Sequence, residues 1–537
     1  MTPRRKAAFK LLMLNACAVL ALTGLGFAQT KVPRPAAVNW PIISGSSNGG
    51  HYTLLNMQLS PATLSLKVGA TSQLSASGMG SDKTQHSVTS HVYWTSSATK
   101  VATVSKTGLV TAVGPGSATI TATRGPSATT TVTVTNQATG IPVPSSLFSM
   151  TSHSHFDMPT VPIVGMRLWD TGTYWNIMNT APGVYDFTAL DQWTSTAQAN
   201  NVDLIYTFGM VPTFASSNPT LVCGNSGAPV GSCAPPVDVN ADGSGTDQYF
   251  KDYVTAIVTH SAGQIKYWEM WNEPTVPGYW QGTNQQLLRM AQDAYSIIKS
   301  IQPTALVTTP SPSTGINGVA NWMGPYLALG GGQYADIISF HGYNWSSTWG
   351  VWPQPEDIVP LVENLKAQLV IYGQTNKPLW CTEGSWGDTS GNGFTDPDLH
   401  AAYLSRHYLL QESEGVARYY WFAWDNAGGD GLWNASTGMS KAGTAYGQVE
   451  SWIVGATPTG QCVQNGTIWT CNYSRSGGFL SEAIWDTSQT CSNGNCTTSN
   501  VNVGTQYTHY LDVSGGNYPV TNATVPVGAK PIYLENQ

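Results

Sequence analysis

Two glutamates stand out in this 537-residue chain because each closes an apolar, strand-like run. Glu273 follows the run "IKYWEMWN", and Glu383 ends the run "KPLWCTE" further along the chain. Hydrolysis of a glycosidic bond needs two carboxyl groups that flank the bond, one to protonate the leaving oxygen and one to act at the anomeric carbon. The pair therefore predicts a glycosidase, provided that the fold brings the two strand ends together.

The elements that would position these glutamates lie between residue 141 and residue 456. Eight apolar runs in this region are typical of buried strands, and amphipathic helical patterns separate them. The runs are 146–152, 163–169, 202–209, 265–272, 304–309, 336–343, 377–383 and 417–424. Helical patterns include 247–260 and 284–301, the second with Thr283 as its N-cap.

This alternation predicts a (β/α)8 TIM barrel over residues 141–456. An open, doubly wound sheet is the alternative, but no glycine-rich phosphate loop follows the first predicted strand. In a barrel of this kind, the active site lies at the carboxyl ends of the strands, so polar residues that end strands are the candidates. They are Arg167, Asn272, Glu273, His341, Tyr343, Glu383, Trp424 and Asp425.

Glu269 lies three residues before the end of the fourth predicted strand and needs a separate interpretation. Strand alternation places residues 269, 271 and 273 on one face, so we expect Glu269 to point into the barrel below the site. A buried charge must be paired there. We therefore interpret Glu269 as structural.

The segments "WNEP" and "TEGSW" resemble clan A of the glycoside hydrolases, the retaining barrel enzymes whose glutamates end strands four and seven. The resemblance covers residues 145–456. Within the clan, the segments "MRLWDTGTYW", "GVYDFTALDQW" and "FGMVPTFAS" resemble family 39. The resemblance implies that Glu273 is the general acid/base and that Glu383 is the nucleophile.

The resemblance to clan A also implies roles for the other candidates. Asn272 matches the asparagine that bonds the sugar 2-hydroxyl, and Arg167 matches the arginine that supports the nucleophile. Tyr343 or His341 matches a neighbouring hydrogen-bonding group, and Trp424 matches the aromatic platform under the reacting sugar.

Structural alternatives exist for these residues. Glu273 could be a solvated strand-end carboxylate, and Glu383 could be a structural salt-bridge partner. Arg167 could pair with Asp170 or Asp203 at the barrel rim. The remaining candidates could be ordinary packed or hydrogen-bonded core residues, namely His341, Tyr343 and Trp424.

Two physical expectations follow for the glutamates. An ionised nucleophile is favoured by a neighbouring arginine, which lowers a carboxyl pKa. The acid must keep its proton near neutral pH, and we expect Trp268, Trp271 and Trp280 to desolvate it. A retaining mechanism also predicts that the two carboxyl groups lie about 5 to 5.5 Å apart.

Tryptophans in the predicted loops suggest more than one sugar subsite, because flat rings can stack on the C–H face of a pyranose without any charge. These residues are Trp175, Trp280, Trp345, Trp349, Trp352, Trp386 and Trp433. Among them, Trp280 and Trp386 are assigned to substrate binding. A cleft for a polymer, and hence endo action, is favoured over a pocket for one sugar, with half of the rings only packing the loops as the alternative.

A different sequence pattern occupies residues 55–136. Short runs alternate apolar and polar residues, among them "HVYWTSS", "SATITAT" and "TTTVTVT", with turns about every ten residues. This pattern predicts a small β-sandwich. The order "VYWTSSATKVATVSKTGLVTAVGPGSATITAT" resembles bacterial immunoglobulin-like domains of group 2, which implies a spacer or adhesion module.

The N-terminal segment has the features of an export signal. Residues 1–28 combine basic residues 4–6 with an apolar run and a small-residue cleavage site at Ala28, which predicts a signal peptide. A retained membrane anchor, or a lipoprotein signal at Cys17, is the alternative. Residues 29–54 carry no periodicity and are predicted to be a linker.

Residues 457–537 return to short β runs and are predicted to form a small C-terminal β-sandwich. Three pairs of cysteines are close in sequence, which makes disulfides plausible in an exported protein, although connectivity does not follow from sequence. The pairs are 223 with 233, 462 with 471, and 491 with 496. Cys381 is left over, and we interpret it as a buried, small apolar residue.

The composition narrows the classes of partner. Only 10% of the residues are charged, the formal net charge is −7 and no basic stripe occurs, which argues against nucleic acid. No segment after the signal reaches the roughly 20 apolar residues of a membrane span. No metal-ligand motif such as HExxH is present, and we expect no cofactor and no metal.

These observations predict a secreted, bacterial, multidomain protein that acts as a monomer. Its expected function is retaining, endo-acting hydrolysis of β-glycosidic bonds in a polysaccharide or oligosaccharide. An exo-acting β-xylosidase of the family 39 type is one alternative. A carbohydrate-binding or adhesion protein with an inactive barrel is the other, and the presence of both glutamates argues against it.

Overall fold

The computed structural model describes residues 52–67, 70–99, 101–113, 116–135, 140–153, 158–224, 227–344, 354–385, 396–425, 431–492 and 494–537. The expected signal peptide, most of the expected linker and Trp386 lie outside the described residues. The same is true of Trp345, Trp349 and Trp352.

The N-terminal strands form a β-sandwich that follows from the alternation in the sequence. In "TTTVTVT", Val132 and Val134 are buried, whereas Thr131 and Thr133 are exposed, so one face of this strand enters the core. One sheet has the order Thr63–Lys67, Ser127–Thr135, Gly116–Thr123, Tyr93–Ser96. The other strands pair as Gln58–Ser60, Ser75–Met79, Gln85–Ser87 and as Thr71–Gln73, Leu109–Ala112, Ala102–Val104.

Eight parallel strands form the barrel, and we number them β1 to β8 in chain order. They are β1 Phe148–Thr151, β2 Gly165–Leu168, β3 Asp203–Thr207, β4 Tyr267–Glu269, β5 Leu306–Thr308, β6 Ile338–His341, β7 Leu379–Gly384 and β8 Val416–Phe422. β1 pairs with β8, and a parallel bridge from Thr308 to Ile337 joins β5 to the residue before β6. The sheet is therefore nearly closed, and the predicted barrel is confirmed.

Eight α-helices occur in the described residues, and a helix follows every barrel strand from β2 onward. They are α1 Trp175–Met178, α2 Thr188–Ala199, α3 Gln248–Ser261, α4 Asn284–Ile301, α5 Gly315–Ala328, α6 Ile358–Ile371, α7 Pro397–Ser413 and α8 Lys441–Ile453. Thr283 caps α4 as predicted: its hydroxyl accepts from the backbone N–H of Gln286, and the Gln286 side chain accepts from the N–H of Thr283.

Shorter elements connect these strands and helices. The hairpins are Asn179–Ala181 with Val184–Tyr185, and Trp433–Asn434 with Gly438–Met439. The 3₁₀ helices are Thr89–His91, Ser145–Leu147, Gly331–Tyr334, Pro355–Asp357 and Ser476–Gly478.

The interior of the barrel has two different ends. At the amino end of the strands, the Arg418 guanidinium lies 4.9 Å from the ring centre of Tyr267 and 4.6 Å from that of Trp380, which closes this end with apolar rings. Toward the carboxyl end the buried residues are polar, and they include Arg167 and Glu269. The barrel thus has a cluster of buried polar residues at the end where a TIM barrel places its active site.

The C-terminal region is rich in strands and packs against the barrel. Its main sheet has the order Thr457–Pro458, Ile468–Arg475, Phe479–Asp486, Ile532–Glu535, His509–Asp512, Asn517–Pro519, with Val463–Asn465 beside Ile468–Arg475. Two further pairs are Thr498–Asn502 with Thr524–Gly528, and Cys491–Ser492 with Asn495–Cys496. Tyr533 stacks on Trp452 of α8 with ring centres 5.3 Å apart and donates to its carbonyl, which ties the sheet to the barrel.

The expected disulfides are present. They join Cys223 to Cys233, Cys462 to Cys471, and Cys491 to Cys496. Cys381 is a buried free thiol, as expected from its position in an apolar strand. Within the described ranges, no helix combines the length and the apolar character that crossing a membrane would require.

The packing of α6 generates a test of the fold. Leu365 is fully buried between helix and barrel, whereas Val370 on the same helix is 68% exposed. We expect Leu365→Ala to lower the free energy of unfolding by about 2 to 5 kcal/mol, because the cavity is not refilled. Val370→Ala is the matched control and should change it by less than about 0.5 kcal/mol. Thermal and urea unfolding measure both, and equal effects would contradict the packing.

Candidate active site

The structure brings the predicted polar residues together at the carboxyl ends of the strands. Arg167 lies in β2, His341 ends β6 and Glu383 lies in β7. Asn272 and Glu273 follow β4, and Tyr343 follows β6. Hydrogen bonds described below connect all six of them, so the candidates from four different strands form one cluster.

Arg167 occupies the centre of this cluster, and none of its surface is exposed. Its Nε donates to Glu269 Oε2 at 2.7 Å, and its Nη1 donates to Glu383 Oε2 at 2.5 Å. Its Nη2 donates to Asn272 Oδ1 at 2.7 Å. The alternative rim partners Asp170 and Asp203 are thus not the partners of Arg167.

Glu269 is the buried counter-charge of Arg167, as the sequence predicted. It is fully buried and accepts hydrogen bonds from Arg167, from the Thr207 hydroxyl at 2.7 Å and from the Ser311 hydroxyl. Burial raises the pKa of Glu269, but Arg167, His341 and the two hydroxyls outweigh burial and lower this pKa below its ordinary value. Burial alone would lower the pKa of Arg167, and the charges of Glu269 and Glu383 reverse this and raise it.

Glu273 reaches the cluster through a backbone turn and not through strand alternation. β4 ends at Glu269, and Glu273 has φ of 40°, a left-handed conformation that costs a residue with a side chain about 1 to 3 kcal/mol. Its N–H donates to the carbonyl of Ser311 at 3.1 Å. The expectation that residues 269, 271 and 273 share one face was therefore wrong beyond the strand end, since Trp271 packs in the core on the helix side.

His341 connects the two glutamates, and its contacts fix its tautomer. Arg167 Nη2 lies 3.3 Å from His341 Nε2, and an arginine can only donate, so Nε2 accepts and the ring proton lies on Nδ1. Nδ1 is 2.9 Å from Glu273 Oε1 and 3.9 Å from Glu383 Oε1. The ring therefore donates to Glu273.

The two glutamates are close enough to act on one bond. Glu273, His341 and Glu383 each offer a ligand atom, and these three atoms lie within 4.8 Å of one another. An inverting pair needs about 6.5 to 9.5 Å to admit a water molecule, whereas a retaining pair needs about 5 to 5.5 Å. The separation of these carboxyl groups lies near the shorter range.

The electrostatics of Glu383 differ from the expectation. Burial raises the pKa of this carboxyl, His341 and Arg167 lower it, and Glu273 raises it, so that it ends above its ordinary value. The sequence argument considered only the arginine and therefore had the wrong sign. Both oxygens of Glu383 are nevertheless bonded, Oε2 by Arg167 and Oε1 by the Tyr343 hydroxyl at 2.8 Å.

Asn272 is held with a defined orientation. Its Oδ1 must face Arg167 because the guanidinium can only donate, so the amide nitrogen lies on the other side of the group. The Asn272 N–H donates to the carbonyl of Phe208 at 3.2 Å, which anchors the backbone to the end of β3.

The tryptophans expected around Glu273 lie elsewhere. Trp268, Trp271 and Trp280 belong to the apolar core between the barrel and its helices. Trp280 is 4% exposed and packs against Trp271 with ring centres 5.1 Å apart, which leaves little surface for stacking on a sugar. The role of Trp280 in substrate binding and the desolvation of Glu273 by these three rings therefore stay predictions, and the contacts described for the rings are with the apolar core.

Trp424 and Asp425 follow β8 at the same end of the barrel. Trp424 is 3% exposed and stacks on Trp433 with ring centres 6.2 Å apart. Asp425 Oδ1 accepts from the backbone N–H of His153 at 2.7 Å. The role of Trp424 as a sugar platform stays a prediction.

Sequence reasoning missed Tyr279 as a neighbour of the glutamates. Burial raises the pKa of its hydroxyl, and the charges of Glu273 and Glu383 raise it further, which places the ring within their electrostatic range. Its ring lies edge-on to Trp169, with centres 5.7 Å apart. Tyr279 is in the same stretch as Glu273, but no spacing rule distinguishes it from the buried Trp280 beside it.

The group of Glu273, His341 and Glu383 has donor atoms that suit a divalent cation. Arg167, however, contacts both His341 and Glu383 and places a permanent positive charge beside this position. We interpret the three residues as a hydrogen-bonded set and not as metal ligands.

Comparison with known families agrees with this arrangement. Residues 228–427, which include both glutamates, match the sequence model of the cellulase family, glycosyl hydrolase family 5. The barrel is a glycoside hydrolase domain. Residues 55–136 match the bacterial Ig-like domain of group 2, so both resemblances seen in the sequence, to clan A and to this domain, are confirmed.

Solved structures share the fold of the glycoside hydrolase domain at low sequence identity. A family 39 enzyme from Xanthomonas axonopodis pv. citri has a TM-score of 0.53 and 17% identity, covering 74% of this chain and 95% of its own. A monomeric β-xylosidase from Caulobacter crescentus CB15 has a TM-score of 0.52 and 16% identity, covering 74% and 97%. At this identity, the likeness shows the fold alone.

One curated relative matches a short part of the chain. An ice-binding protein 1 from Shewanella frigidimarina is 37% identical over 122 residues, which is 21% of this chain. The chain spans 14% of the length of that relative.

The pairing of Glu269 with Arg167 generates a pH-dependent prediction. Because the pKa of Glu269 is lowered in the glycoside hydrolase domain, its contribution to stability is complete above the unfolded value of about 4.3 and is lost as pH falls through the folded pKa. Glu269→Gln should therefore cost about 3 kcal/mol near pH 7, and the difference should shrink below about pH 4. Melting temperatures of both proteins from pH 3 to 7 measure this.

Glu412→Gln is a control, because the contribution of Glu412 to stability should change with pH in the opposite direction. Burial raises the pKa of Glu412 to about 7, although the Tyr473 hydroxyl lowers it. A raised pKa means that wild-type stability falls as pH rises from about 4.3 through that folded value, and the variant should not show this fall. A Glu269→Gln difference that stays constant from pH 3 to 7 would contradict the pairing.

Proposed function

We propose that this chain is a retaining glycoside hydrolase that cleaves β-glycosidic bonds in a polysaccharide by double displacement. The observation that carries the proposal is the placement of Glu273 and Glu383, after β4 and in β7, with carboxyl oxygens within 4.8 Å. This separation is closer to that of retaining pairs than to the longer separation of inverting pairs, which supports the proposal.

The roles of the two glutamates follow from their hydrogen bonds. Two carboxyl groups this close favour a state with one proton and one charge. Among the described residues, Glu383 accepts hydrogen bonds from the Arg167 cation and from the Tyr343 hydroxyl, whereas the side chain of Glu273 is bonded to the ring of His341. The charge thus belongs on Glu383, the nucleophile, and the proton on Glu273, the acid.

The reaction then runs in two steps. The Glu383 carboxylate attacks the anomeric carbon while the glycosidic bond breaks and Glu273 gives its proton to the leaving oxygen. Glu273, now ionised and stabilised by His341, takes a proton from water, whose oxygen attacks the anomeric carbon and releases Glu383. The amide nitrogen of Asn272 faces away from Arg167 and is placed to donate to the sugar 2-hydroxyl.

We further propose that the enzyme is secreted, monomeric and endo-acting on a neutral β-glucan or xylan. Three disulfides and the predicted signal peptide support export, because disulfides persist in oxidising compartments. The match to the cellulase family supports a polysaccharide substrate.

The two roles are tested by substrates whose leaving groups differ. Glu273→Ala should lower kcat/KM on polysaccharide by about 10² to 10⁴, because general acid catalysis is lost. It should affect a 2,4-dinitrophenyl glycoside much less, since that leaving group needs no proton. Glu383→Ala should abolish hydrolysis of both substrates.

The product of the wild-type enzyme provides the companion measurement. NMR during hydrolysis should first show the β-anomer from a β-linked substrate, together with oligosaccharides of several lengths. Full activity of either alanine variant, or an α-anomer as first product, would contradict the mechanism. Release of single sugars only would replace endo action by the exo-acting alternative.

A further inference from the structure

A second concave site lies outside the cluster of glutamates. It is a cavity of about 360 Å³, within the range of small-ligand pockets in proteins. The residues of its wall that matter here are Tyr185, Phe214, Asp238, Gln248, Tyr249 and Asp252.

The topology places this cavity on the same face of the barrel as the glutamates. Tyr185 belongs to the hairpin that follows β2, and Phe214 to Tyr249 lie between β3 and the first turn of α3. Both segments begin at carboxyl ends of barrel strands. The carbonyl of Phe208 accepts from the backbone N–H of Asn272, so the loop that carries Phe214 begins beside the active site.

The walls of the cavity are fixed before any ligand binds. The Asn179 amide donates to the carbonyls of Ala181 and Val184 at 2.8 and 3.0 Å, which holds the hairpin. Asp238 Oδ2 accepts from the Thr246 hydroxyl at 2.9 Å and from the N–H of Gln248 at 2.5 Å, which holds the loop on the start of α3. Such preorganisation lowers the entropy cost of binding.

The chemistry of the walls suits a sugar ring. Three half-buried aromatic rings face the cavity, and Phe214 and Tyr249 lie edge to face with centres 5.7 Å apart. Beside them, Gln248 and Asp252 are exposed and are joined by a hydrogen bond of 2.6 Å. Aromatic faces pack against the C–H face of a pyranose, and carboxylate and amide groups accept from its hydroxyls.

The charge of the walls selects among sugars. Two carboxylates, Asp238 and Asp252, line the cavity, and none of the described residues in its lining is basic. A uronic acid would therefore meet like charges without a compensating cation. A neutral pyranose carries no charge to be repelled, and these carboxylates can accept from its hydroxyls.

We infer that this cavity is an accessory subsite that binds a neutral sugar unit of the polysaccharide chain, at a distance from the bond that is cleaved. The inference rests on the proposed function and deepens it, because it assigns the substrate to neutral polymers and adds a contact that short substrates cannot use. Tyr249 provides the ring, and Gln248 with Asp252 provides the polar contacts.

The experiment measures binding without turnover. Full-length protein carrying Glu383→Ala is run on native gels that contain soluble β-glucan, xylan or polygalacturonate, and retardation gives the dissociation constant. Adding Tyr249→Ala should weaken binding to the neutral polymer about tenfold, because a stacked ring is lost. Tyr249→Phe, which keeps the ring, should bind within about twofold of the parent, and binding of a disaccharide by calorimetry should not depend on residue 249.

Tyr518→Ala, which removes an exposed ring in the C-terminal region, is the matched control and should bind like the parent. If Tyr249→Ala destabilises the fold, the exposed change Asp252→Ala gives a second test and should weaken polymer binding. Unchanged polymer binding in both variants, equal loss for polymer and disaccharide, or stronger binding of polygalacturonate would overturn the inference. The leaving-group kinetics on aryl glycosides do not use this cavity, so failure here leaves the proposed catalytic roles standing.

Discussion

The buried guanidinium of Arg167 is the interaction on which the rest of the site depends. A fully buried cation is tolerated only if its donors are satisfied and its charge is balanced. Its partners come from three other strands or their ends: Glu269 and Asn272 at β4, His341 at β6 and Glu383 in β7. One residue thus fixes the positions of a nucleophile candidate, of a substrate-binding amide and of the histidine that orients the acid candidate, and the closed barrel is what holds these strand ends at the required spacing.

The division of charge around Arg167 explains why two neighbouring carboxylates behave differently. Glu269 has no exposed surface, and its carboxylate accepts hydrogen bonds from Arg167 and from two hydroxyl groups, so its charge is stabilised. Glu383 shares Arg167 but also faces Glu273, and burial with this second carboxyl raises its pKa. The left-handed backbone of Glu273 is the local strain required to bring the second carboxyl within reach.

Much of this arrangement followed from the sequence because it depends on local pattern. The eight apolar runs each overlap a barrel strand, the Thr283 cap starts α4, and polar residues at strand ends had to meet once the sheet closed. What failed depended on where a strand stops. β4 ends at Glu269, so the alternation that would have turned Trp271 inward is lost, and Trp268, Trp271 and Trp280 pack on the helix side. The expected direction of the Glu383 pKa shift was also wrong. That direction depends on the balance between burial and neighbouring charges, and burial is not visible in a list of residue types. Tyr279 and the cavity beside α3 could not be predicted either. Long loops bring the residues concerned together, and loops carry no periodic signal in the sequence.

The central claim is that Glu383 forms a covalent bond to the sugar while Glu273 does not. A 2-deoxy-2-fluoro glycoside with a dinitrophenyl leaving group slows breakdown of the glycosyl ester, so that the intermediate accumulates. Peptide mass mapping of the treated wild-type chain should place one sugar on the peptide that contains Glu383, with Glu383→Ala unlabelled. A label on the peptide that contains Glu273, or no label while the reagent is still turned over, would contradict the account.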